Sequence, residues 1–248
     1  SAASDVYKRQ DVNNYVCFGS VQSPCPTDNL YRIIGVFDTQ VGENQTKQRV
    51  KLIKSTSVGD KPWDSKHKNI WSTSSLNTYL NGDFINTFDE TTKGNIADTT
   101  WKVGGNTWSN IGEQLAKTAY QNEVVNPVPG STSSNGETEY SAKIGLMYVS
   151  DYMYAAPQDK WTLVGNGRAT TDYRAATSVN WMYRGLIEWT ISRTAGISGG
   201  AFGVYSAGYV SNYDVGNYAF GARPVFNLTS SVNYVSGSGT AADPISIN

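Results

Sequence analysis

Apolar residues in this chain recur mainly at the spacing of strands. Tyr15–Gly19 (YVCFG) and Leu30–Phe37 (LYRIIGVF) are short apolar runs separated by a Ser-Pro-Cys-Pro turn. Arg49–Lys54 (RVKLIK) alternates basic with apolar residues, as a strand with one dry face does. With Asp38–Gln48 as a polar hairpin tip, these segments predict an N-terminal antiparallel meander. The period then changes. Leu76, Tyr79, Leu80 and Phe84 fall at i, i+3, i+4 and i+8, which predicts a helix capped by Ser72 or Thr73 and ended or kinked at Asn81-Gly82. A second helix is predicted from Asn110 to Glu123, with Ile111, Leu115, Thr118 and Ala119 on one face and Pro127 and Pro129 beyond its end.

Further on, Gly130–Glu139 (GSTSSNGETE) reads as a flexible polar loop and Lys143–Tyr148 as a strand. Ser150-Asp151 is a plausible cap for a short helical turn, and Pro157–Ala176 reads as a long polar loop. Ile187–Ile191 and Ala222–Phe226 are apolar and β-branched, as buried strands are, and the chain closes on a polar tail, Ser236–Thr240. The order is strands, two helices, loops, strands. It predicts an α+β fold of antiparallel sheets, two helices and long irregular loops, with terminal strands free to pair with each other.

Between the two late strands, residues 194–220 carry a single charge, Asp214, among Gly, Ser and Asn and four tyrosines. Tyrosine offers a large amphipathic contact area at little entropic cost, and Ser, Gly and Asn supply adaptable hydrogen bonds. The expectation is a ligand-binding surface of loops in which Tyr205, Tyr209, Tyr213 and Tyr218 are anchors, with Arg193, Asn212, Asp214 and Asn217 as polar contacts. The plain alternative is a Tyr-rich meander with wet turns, and strand alternation predicts that some of the four tyrosines point into the core.

Composition narrows the function. Net charge over 248 residues is −1 and 17% of residues are charged, so no basic stripe exists for nucleic acid. No apolar run reaches membrane-spanning length, and no membrane contact is expected of these residues. Sixteen Tyr and seven Trp amid abundant Gly, Ser, Thr and Asn fit a β-rich extracellular domain. Cys17 and Cys25 are expected to form a disulfide across the Ser-Pro turn, and with it an oxidising compartment, the alternative being two unrelated thiols. The only histidine, His67, lies in Lys66-His67-Lys68, so a zinc site and a Ser/His/acid triad are both poor fits. Gly104-Gly105 and Gly199-Gly200 lack the Lys-Ser/Thr pair of a phosphate loop, and no EF-hand spacing occurs. Glu188 is a candidate buried acid, with pairing to Arg193 or Arg223 as the simpler reading. No catalytic residue, metal or cofactor is therefore assigned.

Several motifs carry a resemblance: Trp71-Ser72 with Ser75-Leu76-Asn77 and Tyr79-Leu80-Asn81, Glu188-Trp189-Thr190, Gly221-x-Arg223-Pro224-Val225, and the opening Tyr15–Gly19 with Cys25 and Tyr31–Gly35. With the closing Ser230-Ser231-Val232 and Gly237–Thr240, they resemble a group of bacterial prepilin-like surface proteins. The resemblance runs over nearly the whole chain after residue 10. It implies a C-type-lectin-like fold in the formylglycine-generating-enzyme-like form, a place outside the cell or on its surface, and partners among host or bacterial surface proteins, glycans or other pilin subunits. The departures are informative. The calcium-holding Glu-Pro-Asn, Gln-Pro-Asp and Trp-Asn-Asp motifs of the sugar-binding branch are missing, and no cysteine follows Cys25, as the oxidising-enzyme branch needs, so neither activity of the wider fold is supported. The 194–220 stretch also resembles the variable region of display proteins diversified by retroelements. A binding module is the leading expectation, a self-assembling pilin subunit the second, and a carbohydrate-active enzyme the third. Within residues 1–10 (SAASDVYKRQ), Asp5–Gln10 resembles translated sequencing adaptor, so 1–10 is expected to be adaptor-derived or disordered, the natural N-terminus is expected upstream, and residues 11–248 are expected to form one domain.

Overall fold

The computed structural model describes residues 12–42, 45–128, 136–160 and 177–248. The adaptor-like segment 1–10, most of the Gly130–Glu139 loop and residues 161–176 of the Pro157–Ala176 loop lie outside them. In chain order the strands are β1 (Tyr15–Cys17), β2 (Leu30–Gly42), β3 (Gln45–Lys54), β4 (Asp60–Lys61), β5 (Thr99–Lys102) and β6 (Glu139–Ala142). They continue as β7 (Glu188–Arg193), β8 (Gly200–Val204), β9 (Val210–Asp214), β10 (Phe220–Gly221), β11 (Val225–Asn227), β12 (Tyr234–Ser236) and β13 (Ile245–Ile247). Sheet one has the order β11-β3-β2-β1-β13-β12, sheet two the order β4-β10-β7-β8-β9, and β5 pairs with β6 alone.

The class is α+β. The expected meander is present, but the polar stretch read as a hairpin tip is itself strand: the β2–β3 ladder runs on through Asp38↔Gln48 to Gly42↔Gln45. Backbone pairing needs no apolar side chains, and residues 45–48 are exposed on both faces. The termini pair as expected, β1 lying parallel to β13 with Val16 opposite Ile245, so the tail that looked merely polar ends in a strand. This pair and the parallel β7–β10 contact make both large sheets mixed rather than purely antiparallel.

The helices are shorter and more numerous than the two expected: α1 (Ser75–Tyr79), α2 (Glu90–Gly94), α3 (Trp108–Ile111), α4 (Ala116–Tyr120) and α5 (Val149–Tyr154). Ser74, not Ser72 or Thr73, caps α1, its Oγ accepting the Asn77 N–H at 3.1 Å. A π turn, Leu80–Phe84, carries the chain past Asn81-Gly82 and keeps Leu80 and Phe84 buried. The predicted Asn110–Glu123 helix breaks after Ile111. Gly112 lies against the Trp108 ring, where a Cβ would come within 2.5 Å, and Leu115, placed on the buried face by periodicity, is 53% exposed at the extended residue before α4. Lys143–Tyr148 makes one isolated bridge, Gly145 to Val225, instead of a ladder.

One buried cluster runs from Val16 to Leu228, with Trp63, Trp71, Trp101 and Trp189 at its centre. Buried indoles keep their N–H satisfied where they can: Trp63 donates to the Thr190 carbonyl at 3.0 Å and Trp189 to the Lys61 carbonyl at 2.8 Å. Buried charged groups are either ion-paired or held by neutral hydrogen-bond partners. Arg223 and Glu188, both nearly inaccessible, form a two-pronged bridge at 2.5 and 3.1 Å, and the second Arg223 nitrogen also reaches the Met182 carbonyl. Lys51 meets Asp151 at 2.7 Å. The Arg32 guanidinium lies between the Tyr15 and Trp181 rings, at 4.4 and 4.5 Å, and donates to Asn14. Cys17 and Cys25 are joined as a disulfide.

Glu123 holds the start of α5. Its carboxyl accepts the Val149 and Ser150 N–H groups at 2.8 and 3.0 Å and the hydroxyls of Ser150 and Ser192. These are donors a helix start leaves without partners. Burial pushes the Glu123 pKa up, and the hydrogen bonds from Ser192, Ser150 and Val149 offset that only in part.

Two outcomes follow for stability. Glu188→Gln leaves Arg223 buried without its counter-charge and should cost about 3 kcal/mol in urea unfolding; an unchanged midpoint would show that the pair contributes nothing. A carboxyl with a raised folded pKa adds stability that is complete below its unfolded pKa and is lost as pH climbs through the folded one. Glu123→Gln should therefore become relatively more stable against the native chain as pH rises above 4.5, and a pH-independent difference would contradict the burial effect.

Candidate functional site

The β8–β9 hairpin decides where the late tyrosines point. Its register pairs Ala201 with Tyr213, Gly203 with Ser211 and Val204 with Val210, and the Tyr205 N–H reaches the Tyr209 carbonyl at 2.8 Å. Side chains alternate between faces, so Phe202, Val204 and Val210 all enter the core. Tyr205, Tyr209, Ser211 and Tyr213 leave on the opposite face. Alternation was expected to send some tyrosines inward, but the spacing of four keeps Tyr205, Tyr209 and Tyr213 on one side, and Tyr218, beyond β9, joins them through its contact with Tyr213.

Two aromatic groups form along this face. Tyr205 and Tyr209 stack at 4.9 Å beside the turn. Farther along, Tyr213 meets Tyr218 edge-on at 5.8 Å and Phe220 at 4.9 Å, and Phe220 lies on Trp189 at 4.6 Å. Gly203 lies under this second group. A Cβ there would come within 3.2 Å of the Tyr213 ring, so its missing side chain lets that ring lie close over the sheet. Trp189 and Phe220 are the buried floor; Tyr205, Tyr209 and Tyr213 are half-buried, and Tyr218 is 48% exposed. Burial raises the Tyr213 hydroxyl pKa and the nearby Tyr209 raises it further, while a hydrogen bond with Ser211 works the other way. At neutral pH that hydroxyl is an uncharged donor and acceptor.

The polar residues expected to join the tyrosines are placed elsewhere. Arg193 is fully buried: its guanidinium donates to the carbonyls of Gly104, Asn69 and Glu137, bracing loops from inside rather than meeting a ligand. Asn212 and Asp214 alternate onto the face opposite the tyrosines. Asp214 accepts the Gly216 and Asn217 N–H groups at 2.9 Å and faces His67 Nδ1 at 3.2 Å, so it shapes the turn after β9. Against partial desolvation, those backbone bonds and the His67 ring hold its carboxyl below the usual pKa. Asn217 gives its N–H to that turn and keeps an exposed side chain. His67 is half-exposed beside Asp214, and among the described residues no nucleophilic side chain bonds it.

The supporting residues were missed by sequence reasoning. Tyr183 and Tyr152 donate their hydroxyls to the Ser206 and Gly208 carbonyls at 2.6 and 2.7 Å, fixing the hairpin turn from below. Gly208 has φ +93°, a left-handed turn signal that the sequence does offer four positions after Val204. Among the described residues, no three His, Cys, Asp or Glu side chains are grouped to hold a metal ion.

A family model described as a domain of unknown function (DUF6273) matches residues 47–230, a span that includes the whole tyrosine face. No curated protein matches the chain, and no solved structure does.

A Cβ on Gly208 would lie 1.8 Å from Thr177 Cγ2, whereas Gly59, also at positive φ, faces open space. Gly59→Ala should cost about 1 kcal/mol from backbone strain alone, and Gly208→Ala at least about 1 kcal/mol more. Equal losses in chemical denaturation would mean that the turn is not packed against Thr177.

Proposed function

The chain belongs to the DUF6273 family, and we propose that within it this protein is an extracellular ligand-binding module, the recognition domain of an adhesin or a pilin-displayed protein. One observation carries the reading: four partly exposed tyrosines share one face, over a floor of Trp189 and Phe220 that is itself buried. A rigid aromatic anchor loses little side-chain entropy on binding, and each phenol adds a hydrogen-bonding tip. Tyr205, Tyr209, Tyr213 and Tyr218 are the anchors, and Ser211 and the exposed Asn217 supply polar contact at their margins. The ligand is a protein or glycan of a host or bacterial surface.

The disulfide between Cys17 and Cys25 supports a place outside the cell, since such bonds persist in oxidising compartments. Among the described residues no helix is long and apolar enough to cross a membrane. The finer fold reading, a C-type-lectin-like domain, draws support from the parallel pairing of the terminal strands β1 and β13 beside a second sheet. A surface diversified by a retroelement would suit this hairpin, whose core-facing positions, Phe202, Val204 and Val210, are filled independently of the tyrosine face.

The pilin-subunit reading has its own observation. β12 ends sheet one, and Tyr234 and Val235 on it are 66% and 53% exposed, which suits contact with further copies. The enzyme reading loses its acid, because Glu188 is closed inside its pair with Arg223.

The full chain probed on glycan and surface-protein arrays should select a partner whose affinity falls about 30-fold in Tyr209→Ala and in Tyr213→Ala, or roughly 2 kcal/mol each, with Tyr234→Ala unchanged. Retained affinity in both hairpin variants would remove the tyrosine face as the site. Self-association abolished by Tyr234→Ala would favour the subunit reading.

A further inference from the structure

Among the described residues, one lysine–carboxylate pair is closed to solvent on both sides. Lys51 on β3 and Asp151 in α5 lie 100 positions apart, with Nζ 2.7 Å from Oδ2 and side chains only 6% and 5% exposed. In the other lysine pairs the carboxyl partner is at least 45% exposed. The equally buried Arg223–Glu188 pair offers no amine, because a guanidinium keeps its proton. Around the lysine, the Phe37 and Tyr148 rings stand 4.6 and 4.8 Å from Nζ. The carboxyl is fixed as well, since its Oδ2 also accepts the Tyr148 N–H at 2.9 Å.

Holding two ions out of water is costly, and a neutral amide in their place carries no such cost. A nitrogen 2.7 Å from one carboxyl oxygen lies roughly 3–4 Å from the carboxyl carbon, near the contact from which covalent attack begins. We propose that Lys51 and Asp151 condense to an isopeptide cross-link between β3 and α5. A proton passes from Nζ to the carboxyl, which leaves a free amine facing a neutral acid. The nitrogen lone pair then forms a bond to Cγ. Oδ2 takes the negative charge of the tetrahedral intermediate, where the Tyr148 N–H already points. As the Cγ–Oδ1 bond breaks, Oδ1 leaves as water with two of the three Nζ protons. The third stays on the amide nitrogen, so the step consumes no oxidant, reductant or co-reactant. The same closure that makes the ion pair costly keeps water from hydrolysing the product. Tyrosines of the candidate face take no part, and the two assignments stand or fall separately.

Intact-mass spectrometry of the purified full chain, denatured and with its disulfide reduced, tests it. The chain should be lighter than the sum of its residues by one water, about 18 Da. Trypsin should fail to cut after Lys51, and the peptides containing Lys51 and Asp151 should emerge as one joined species. Lys51→Met and Asp151→Ala should each show the full mass. Should a single variant fail to fold, the double variant Lys51→Met with Asp151→Leu, which strands no charge, should show it instead. Tyr213→Ala should keep the lighter mass. The full mass in the native chain overturns the proposal. So does a loss of ammonia, about 17 Da, which would make Asn227, opposite Lys51 in the β3–β11 ladder, the acceptor. A loss of water that persists in Lys51→Met overturns it too, since the lysine would then take no part.

Discussion

The fold depends on a crossing in the chain between Phe220 and Asn227. Phe220-Gly221 pairs with β4 and β7 in sheet two, and after three intervening residues Val225–Asn227 pairs with β3 in sheet one. Pro224 stands between them. It has no N–H to continue a ladder, so one strand must end and another begin, yet its carbonyl still accepts the Lys54 N–H at 2.9 Å. Arg223 lies at the crossing and is held by both Glu188 oxygens and the Met182 carbonyl. Removing either charge would leave the other buried and unpaired, which makes this pair costly to break even if assembling it contributed little.

The same period of two that turns Glu188 toward Arg223 turns Trp189 the other way, under Phe220 and Tyr213. A structural ion pair and the floor of the candidate face are thus adjacent residues of one strand. The tyrosine face is thereby supported from beneath by the protein's own core. The rings rest on a strand buried along its whole length, and the turn that presents Tyr205 and Tyr209 is tied down by two phenol hydroxyls from other segments.

Sequence pattern was sufficient where a side chain's environment is set by its own strand. The strand at RVKLIK, the apolar run at Ile187–Ile191, the pairing of the termini and the Cys17–Cys25 bridge were all legible, as was the α+β class, but RVKLIK lacks the single dry face its alternation predicts, because Lys51 and Lys54 are buried along with Leu52 and Ile53. It was insufficient where a distant backbone decides. Arg193 reads as a surface cation, yet it is buried because the Gly104, Asn69 and Glu137 carbonyls need donors, and no local spacing announces where three loop carbonyls will converge. Glu123 has the same history: placed on a helix by periodicity, it became the buried cap of another helix 26 residues later. The tyrosine face was legible as composition, but its membership was not. Assigning Asn212 and Asp214 to the other side required the register of β8 against β9, which a single turn glycine helps to set.

The crossing also relates the tyrosine face to sheet one. Phe220, in the floor of that face, and Asn227, in sheet one, are seven positions apart. A ligand on the tyrosine face could alter sheet one only if this segment had two arrangements that the ligand prefers differently. With Arg223 inside its ion pair, Pro224 locked into the Lys54 hydrogen bond and Val225 and Phe226 fully buried, a second arrangement would have to break a buried charge pair and unpack the core. That cost exceeds the one to three kcal/mol, roughly, over which allosteric couplings usually operate. The tyrosine face and sheet one are therefore held rigidly with respect to each other, and occupation of the face should leave sheet one in place.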